Sequence, residues 1–157
     1  MKKWLMTTLF LGIFVLSSSL ALAANWQTID GAPGVFVDTE SLRYARDDND
    51  QALSEKIVAL LVRRPISEEA RLAQVNKETN PQMKAVFSNA AYDERLYWFN
   101  LTNGTVSLGA VALVDKNDNI LATNVINSEY IPIPQEGVTP FFYSYVKAAD
   151  QSGKITK

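Results

Sequence analysis

The chain has 157 residues, with 15 basic and 17 acidic side chains and no histidine or cysteine. The missing histidine removes the usual general base, the commonest metal ligand and every Ser-His-Asp or Cys-His arrangement, so no enzyme, metal site or cofactor is expected. The missing cysteine removes disulfides, and a domain of this size must then be stable through its core alone.

The N-terminus reads as a targeting segment. Met1-Lys2-Lys3 is a short positive region, Trp4 to Leu16 is apolar, and Ala21-Leu22-Ala23 fits the small-x-small cleavage rule. Residues 1–23 are expected to be a signal peptide of bacterial type and 24–157 a single domain, which makes the protein exported: periplasmic, attached to the cell surface, or secreted. The alternative is an uncleaved anchor, since Trp4 to Ala24 is just long enough to span a bilayer. No cysteine follows the apolar run, so lipid attachment there is impossible. Losing Lys2 and Lys3 leaves 13 cations against 17 acids, a net charge of −4. That mild acidity argues against nucleic acid or an anionic membrane as the main partner.

Asn25 to Asp30 reads as a first strand, Gly31-Ala-Pro-Gly34 as a turn and Val35-Phe-Val37 as a second strand. Asp38-Thr-Glu-Ser41 closes it through side chains that bond nearby amides. Arg46 to Gln51 is a solvated loop. Ile57 to Val62 is apolar on both faces, as in a central strand. From Ser67 to Lys77 a helix is expected: Ser67 caps it, Glu68 and Glu69 suit its positive end, and Leu72 and Val75 share a face. Asn80-Pro81 is read as its stop, and Lys84 to Phe87 as the start of another strand.

Arg95 to Ile126 predicts a three-stranded meander. Asn103-Gly104 between apolar runs predicts a two-residue type I′ turn, and Asp115 to Asn119 a second turn closed by its own side chains. Tyr97, Phe99 and Leu101 share one face, Leu96 and Trp98 the other, and the C-terminal segment is expected to cover the second. Thr139-Pro140 predicts that helix's start, with Thr139 as the cap, and Phe142, Tyr145, Val146 and Ala149 follow at helical spacing. The expected class is α+β: an antiparallel sheet of about five to seven strands with a C-terminal helix packed on one face.

Several segments together resemble a known family. Trp26, Val37-Asp-Thr-Glu-Ser-Leu42, the strand at 57–62, the hairpin Leu113 to Leu121 and the Ile133 to Val146 segment occur in the order seen in the surface-adhesin protein E family. The resemblance would span about residues 25 to 150. It implies a small antiparallel sheet backed by a C-terminal helix, and a surface module that binds host matrix or plasma proteins. The chain departs from the family pattern in lacking cysteine, and Asn117-Asp-Asn119 stands where relatives usually have a glycine.

Few residues carry a site signal. Asp115-x-Asn117-x-Asn119 imitates half a calcium loop, but Ile120 and Ile126 occupy the glycine and glutamate positions, so a turn is expected. Asp47, Asp48 and Asp50 would gather a weak divalent ion only if their loop folded inward. Arg63 and Arg64 with Arg71 form a candidate basic patch, set against the ordinary charged end of an edge strand. Asp93 and Glu94 point to opposite faces, which suits them poorly to shared acid–base work. Among the aromatics, Tyr92, Trp98 and Tyr143 are left as candidates for an exposed recognition surface. The expected function is a non-enzymatic binding module with a protein partner; the alternative is an accessory or structural protein of the cell envelope.

Overall fold

The computed structural model describes residues 24–47 and 49–156. The expected signal segment, Asp48 and Lys157 lie outside them. Among the described residues eight strands form one sheet. They are β1 (Trp26–Thr28), β2 (Phe36–Asp38), β3 (Arg43–Tyr44), β4 (Ile57–Pro65), β5 (Tyr92–Asn100), β6 (Thr105–Val114), β7 (Ile120–Val125) and β8 (Ile131–Pro132). The order is β1-β2-β4-β5-β6-β7, with β3 also on β4 and β8 also on β6, and every pair is antiparallel. With α1 (Glu68–Lys77), α2 (Pro81–Asn89) and α3 (Thr139–Gln151), the domain is α+β, as the sequence pattern implies.

The register of β4 on β5 sorts the side chains. Val58 lies opposite Phe99 and Leu60 opposite Tyr97, while Ala59 faces Trp98 and Arg63 faces Glu94 on the other side. The first set builds the main core: Val37, Val58, Leu60, Val62 and Phe99 pack with Phe142, Val146 and Ala149 of α3. Each of these valine, leucine and phenylalanine side chains contributes roughly 1.5–3 kcal/mol when removed from water. The helix therefore covers the Tyr97 and Phe99 face, not the face of Leu96 and Trp98. Tyr97 and Phe99 already lie on the side where the helical stripe of Phe142 and Val146 can meet long apolar partners. The opposite side is lined at its centre by the smaller Ala59, Ser107 and Ala110.

Ser67 caps α1 as expected, its Oγ accepting from the Ala70 amide at 3.2 Å. The next segment differs from expectation. Asn80-Pro81 starts a helix rather than ending one: the Asn80 side chain accepts from the amides of Gln82 and Met83, and Pro81 takes the first helical position. Lys84 to Phe87 is thus helical, not a strand. Helices α1 and α2 pack on each other, and the Ile66 amide donates to Ala91 O at 2.9 Å, closing the base of this insertion.

The first hairpin also departs from the two-residue turn. Leu101 to Gly104 form a four-residue loop in which Gly104 alone has a left-handed φ, 70°. Asn100 supports it from below, its Oδ1 accepting from the amides of Thr102 and Asn103. The second turn is as read: Asp115 Oδ1 accepts from the amides of Asn117 and Asn119. At α3, Pro140 sits in the first turn, but the cap is Val138 with no side-chain bond, so Thr139 is already helical and caps nothing.

Candidate functional site

The register brings two of the sequence candidates together and buries them in a lock. Arg63 is only 9% exposed and lies between aromatic rings, its guanidinium 4.2 Å from the Trp26 ring and 4.5 Å from that of Tyr92. Its Nε donates to Glu94 Oε1 at 2.8 Å, and Nη1 pairs with Asp118 Oδ1 at 2.7 Å. Burial pushes the Glu94 carboxyl above its ordinary range, against the pull of the Arg63 guanidinium. This cluster ties β1, β4, β5 and the β6–β7 turn together. It overturns the expectation of a free basic patch, and also that of an edge-strand terminus, because β4 is interior to the sheet.

The other candidates disperse. Arg64 lies 3.6 Å from Asp93 on the opposite face, where Asp93 also binds Arg95 at 2.8 Å; this bond holds the Arg95 guanidinium above its ordinary range. Arg71 donates to Ser88 O within the helical insertion. Glu94 and Asp93 do face apart, as their adjacency requires. Trp98, expected on a recognition surface, is 6% exposed. The reason is Gly109 on β6, where a β-carbon would fall 2.5 Å from the indole Nε1, so the missing side chain makes room for the ring. Tyr143 is half-buried, packed near Phe99 with Lys147 Nζ 5.5 Å above its ring.

The acidic loops hold their own backbone. Asp47 Oδ1 accepts from the amides of Asn49 and Gln51, and Asp50 pairs with Arg46 at 3.4 Å. Asp48 lies outside the described residues. Among the described residues no three His, Cys, Asp or Glu side chains gather as a metal site. The Asp115 carboxyl is pulled below its usual range by its bonds to Asn119.

A separate concave feature lies at the other edge of the sheet. Between β1 and α3 lies an open cleft of about 340 Å³, lined by Thr28, Ile29, Asp30, Phe141, Ser144 and Tyr145. Phe141 stands 42% exposed at its rim. Gly31, at φ 83°, closes on the ring so tightly that no β-carbon fits between them. Burial raises the Tyr145 hydroxyl pKa, and the Asp38 carboxylate adds to the shift. No cation pairs with Asp30 among the described residues. β1 ends the sheet, and the Thr39 amide donating to Asn25 O sets its hydrogen-bond alternation. The amides and carbonyls of Trp26 and Thr28 consequently face away from β2, along an open edge.

Of these lining residues the sequence brings forward only Phe141 and Tyr145, as members of an aromatic set that could line a groove; Thr28, Ile29, Asp30 and Ser144 carry no such signal. Phe141 lies next to the buried Phe142 in a run of aromatics, and only the close approach of Gly31 distinguishes it. No protein-family model matches the chain, and no curated protein or solved structure matches it. The likeness to the adhesin E family therefore rests on the short segments quoted above. Among the described residues no helix is long and apolar enough to cross a membrane.

Proposed function

We propose that this chain is an exported, non-enzymatic bacterial binding module that grips a segment of a partner protein at the β1–α3 cleft. The partner class implied by the adhesin E resemblance is a host matrix or plasma protein. One observation carries the reading: Phe141 is exposed yet held in place by Gly31, beside an open strand edge. An aromatic ring already fixed in position loses little freedom when a partner covers it, which is what a binding anchor requires. The open edge offers backbone donors and acceptors to an extended segment, and Asp30 offers a counter-charge for a basic residue within it.

The test has two arms. Protease shaving of intact cells reports whether the domain is displayed, and protection until the envelope is opened would favour an envelope accessory role instead. Binding of plasma and matrix protein fractions to the immobilised mature chain is then compared with Phe141→Ala and Asp30→Asn. Loss of at least about tenfold in affinity with Phe141→Ala supports the cleft. Equal binding by both variants removes it.

A further inference from the structure

Five of the eight large apolar side chains exposed among the described residues fall within one short stretch: Ile120, Val125, Ile126, Tyr130 and Ile131. This stretch is β7 and its continuation, at the end of the sheet opposite β1. From Asn119 to Ser128 it carries no charged side chain and no proline. Soluble proteins usually protect such an edge with lysine, proline or an inward-pointing charge, because its unpaired backbone groups template another strand. Here that protection is missing. Although α2 reaches β7, Ile120 and residues 123–126 remain exposed.

We propose that β7 pairs with β7 of a second copy, joining the two sheets about a two-fold axis. Three observations select this occupant. The pairing of β7 with β6 and the bond from the Ile126 amide to Gly109 O turn the backbone groups of Thr123 and Val125 outward. Placing the axis at Thr123 matches the strand to itself: Thr123 meets Thr123, Leu121 meets Val125 and Ile120 meets Ile126, all favourable cross-strand partners. Charge decides between this and other contacts. The mature chain is acidic overall, and β7, with no charged side chain from Asn119 to Ser128, lets two copies meet without opposed carboxylates. An isologous contact of this kind closes after two subunits and leaves the β1–α3 cleft of each copy free at the far edge.

The mature chain is tested by light scattering and sedimentation over a wide concentration range, alongside Val125→Lys and Thr123→Pro. Two variants are used so that one failing to fold does not decide the outcome. A dimer whose dissociation constant rises at least about tenfold in the folded variant supports the pairing. Because the chain has no native cysteine, Thr123→Cys gives a direct register test: under oxidation it should link to itself, whereas Gln135→Cys should not. A monomer at every concentration, a dimer indifferent to both substitutions, or open-ended polymers would each overturn the proposal.

Discussion

A β-carbon added to Gly31 would fall 2.2 Å from two ring atoms of Phe141, so the turn after β1 and the first turn of α3 are fitted to each other atom to atom. Gly31→Ala meets two obstacles. The left-handed φ of 83° costs an L side chain about 1–2 kcal/mol, and forcing the ring aside costs about 1–3 kcal/mol more. Urea denaturation should show a loss of about 2 kcal/mol or more. Phe141→Ala, which removes a ring that is 42% exposed, should cost less, about 1 kcal/mol. If Gly31→Ala is as stable as the parent, the packing described for this cleft is wrong.

Arg63 tests how a buried charge is tolerated. Removing it leaves the buried Glu94 uncompensated and takes the counter-ion from Asp118. Breaking one side of a buried pair costs about 3–5 kcal/mol, so Arg63→Ala should be among the most destabilising single changes outside the apolar core. Replacing the pair together, as Arg63→Met with Glu94→Leu, should recover most of that loss. A double variant no better than the single one would show that the Trp26 and Tyr92 stacking, rather than the ion pair, dominates.

The Tyr44 hydroxyl donates to Asp150, which also binds Lys56 Nζ at 3.1 Å. The bond to Asp150 pushes the Tyr44 pKa up from 10.0 to about 12 and holds the Asp150 carboxyl below its ordinary range. Because the folded state holds the tyrosine proton more tightly, that contribution is complete below pH 10 and is lost as pH rises through about 12. For Asp150 the sign reverses: its contribution is present above the ordinary carboxylate range and is lost as pH falls through the depressed folded value. The Tm difference between the parent and Tyr44→Phe should therefore be constant from neutrality to pH 10 and shrink towards pH 12. Absorbance titration should show a late tyrosine phase that is one group smaller in the variant, because burial also raises Tyr130 and Tyr145.

The sequence made the strongly periodic elements legible. β4, the meander and α3 follow from apolar runs and helical spacing, and Ser67 and Asp115 use their side chains as their chemistry suggests. Ambiguity entered where one dipeptide serves two ends. Asn80-Pro81 stops a helix as readily as it caps the next, and only the spacing of Met83, Val86 and Phe87 favours the second. The site was less legible because it depends on register. Nothing local says that Arg63 will face Glu94 across a strand pair, or that Gly31 will meet a residue 110 positions later. A β-strand's alternation tells which side chains share a face, but not which face a helix will cover.

Gly109 and Trp98 provide the sharpest check of the face opposite α3. An added β-carbon on Gly109 would lie 2.5 Å from the indole Nε1 and 2.9 Å from Cδ1, both on a rigid ring that cannot bend away. Gly109→Ala must therefore displace the whole tryptophan or open the β5–β6 pairing beside the irregularity at Leu96 and Tyr97. Overpacking of this kind costs about 1–3 kcal/mol. In a Trp26→Phe background of a chain spanning residues 24–157, Trp98 is the only tryptophan. Its emission should be blue-shifted in the parent and move to the red in Gly109→Ala, together with a lower urea midpoint. A red emission already present in the parent would mean that this ring meets solvent, and the face would then be open to a partner as well.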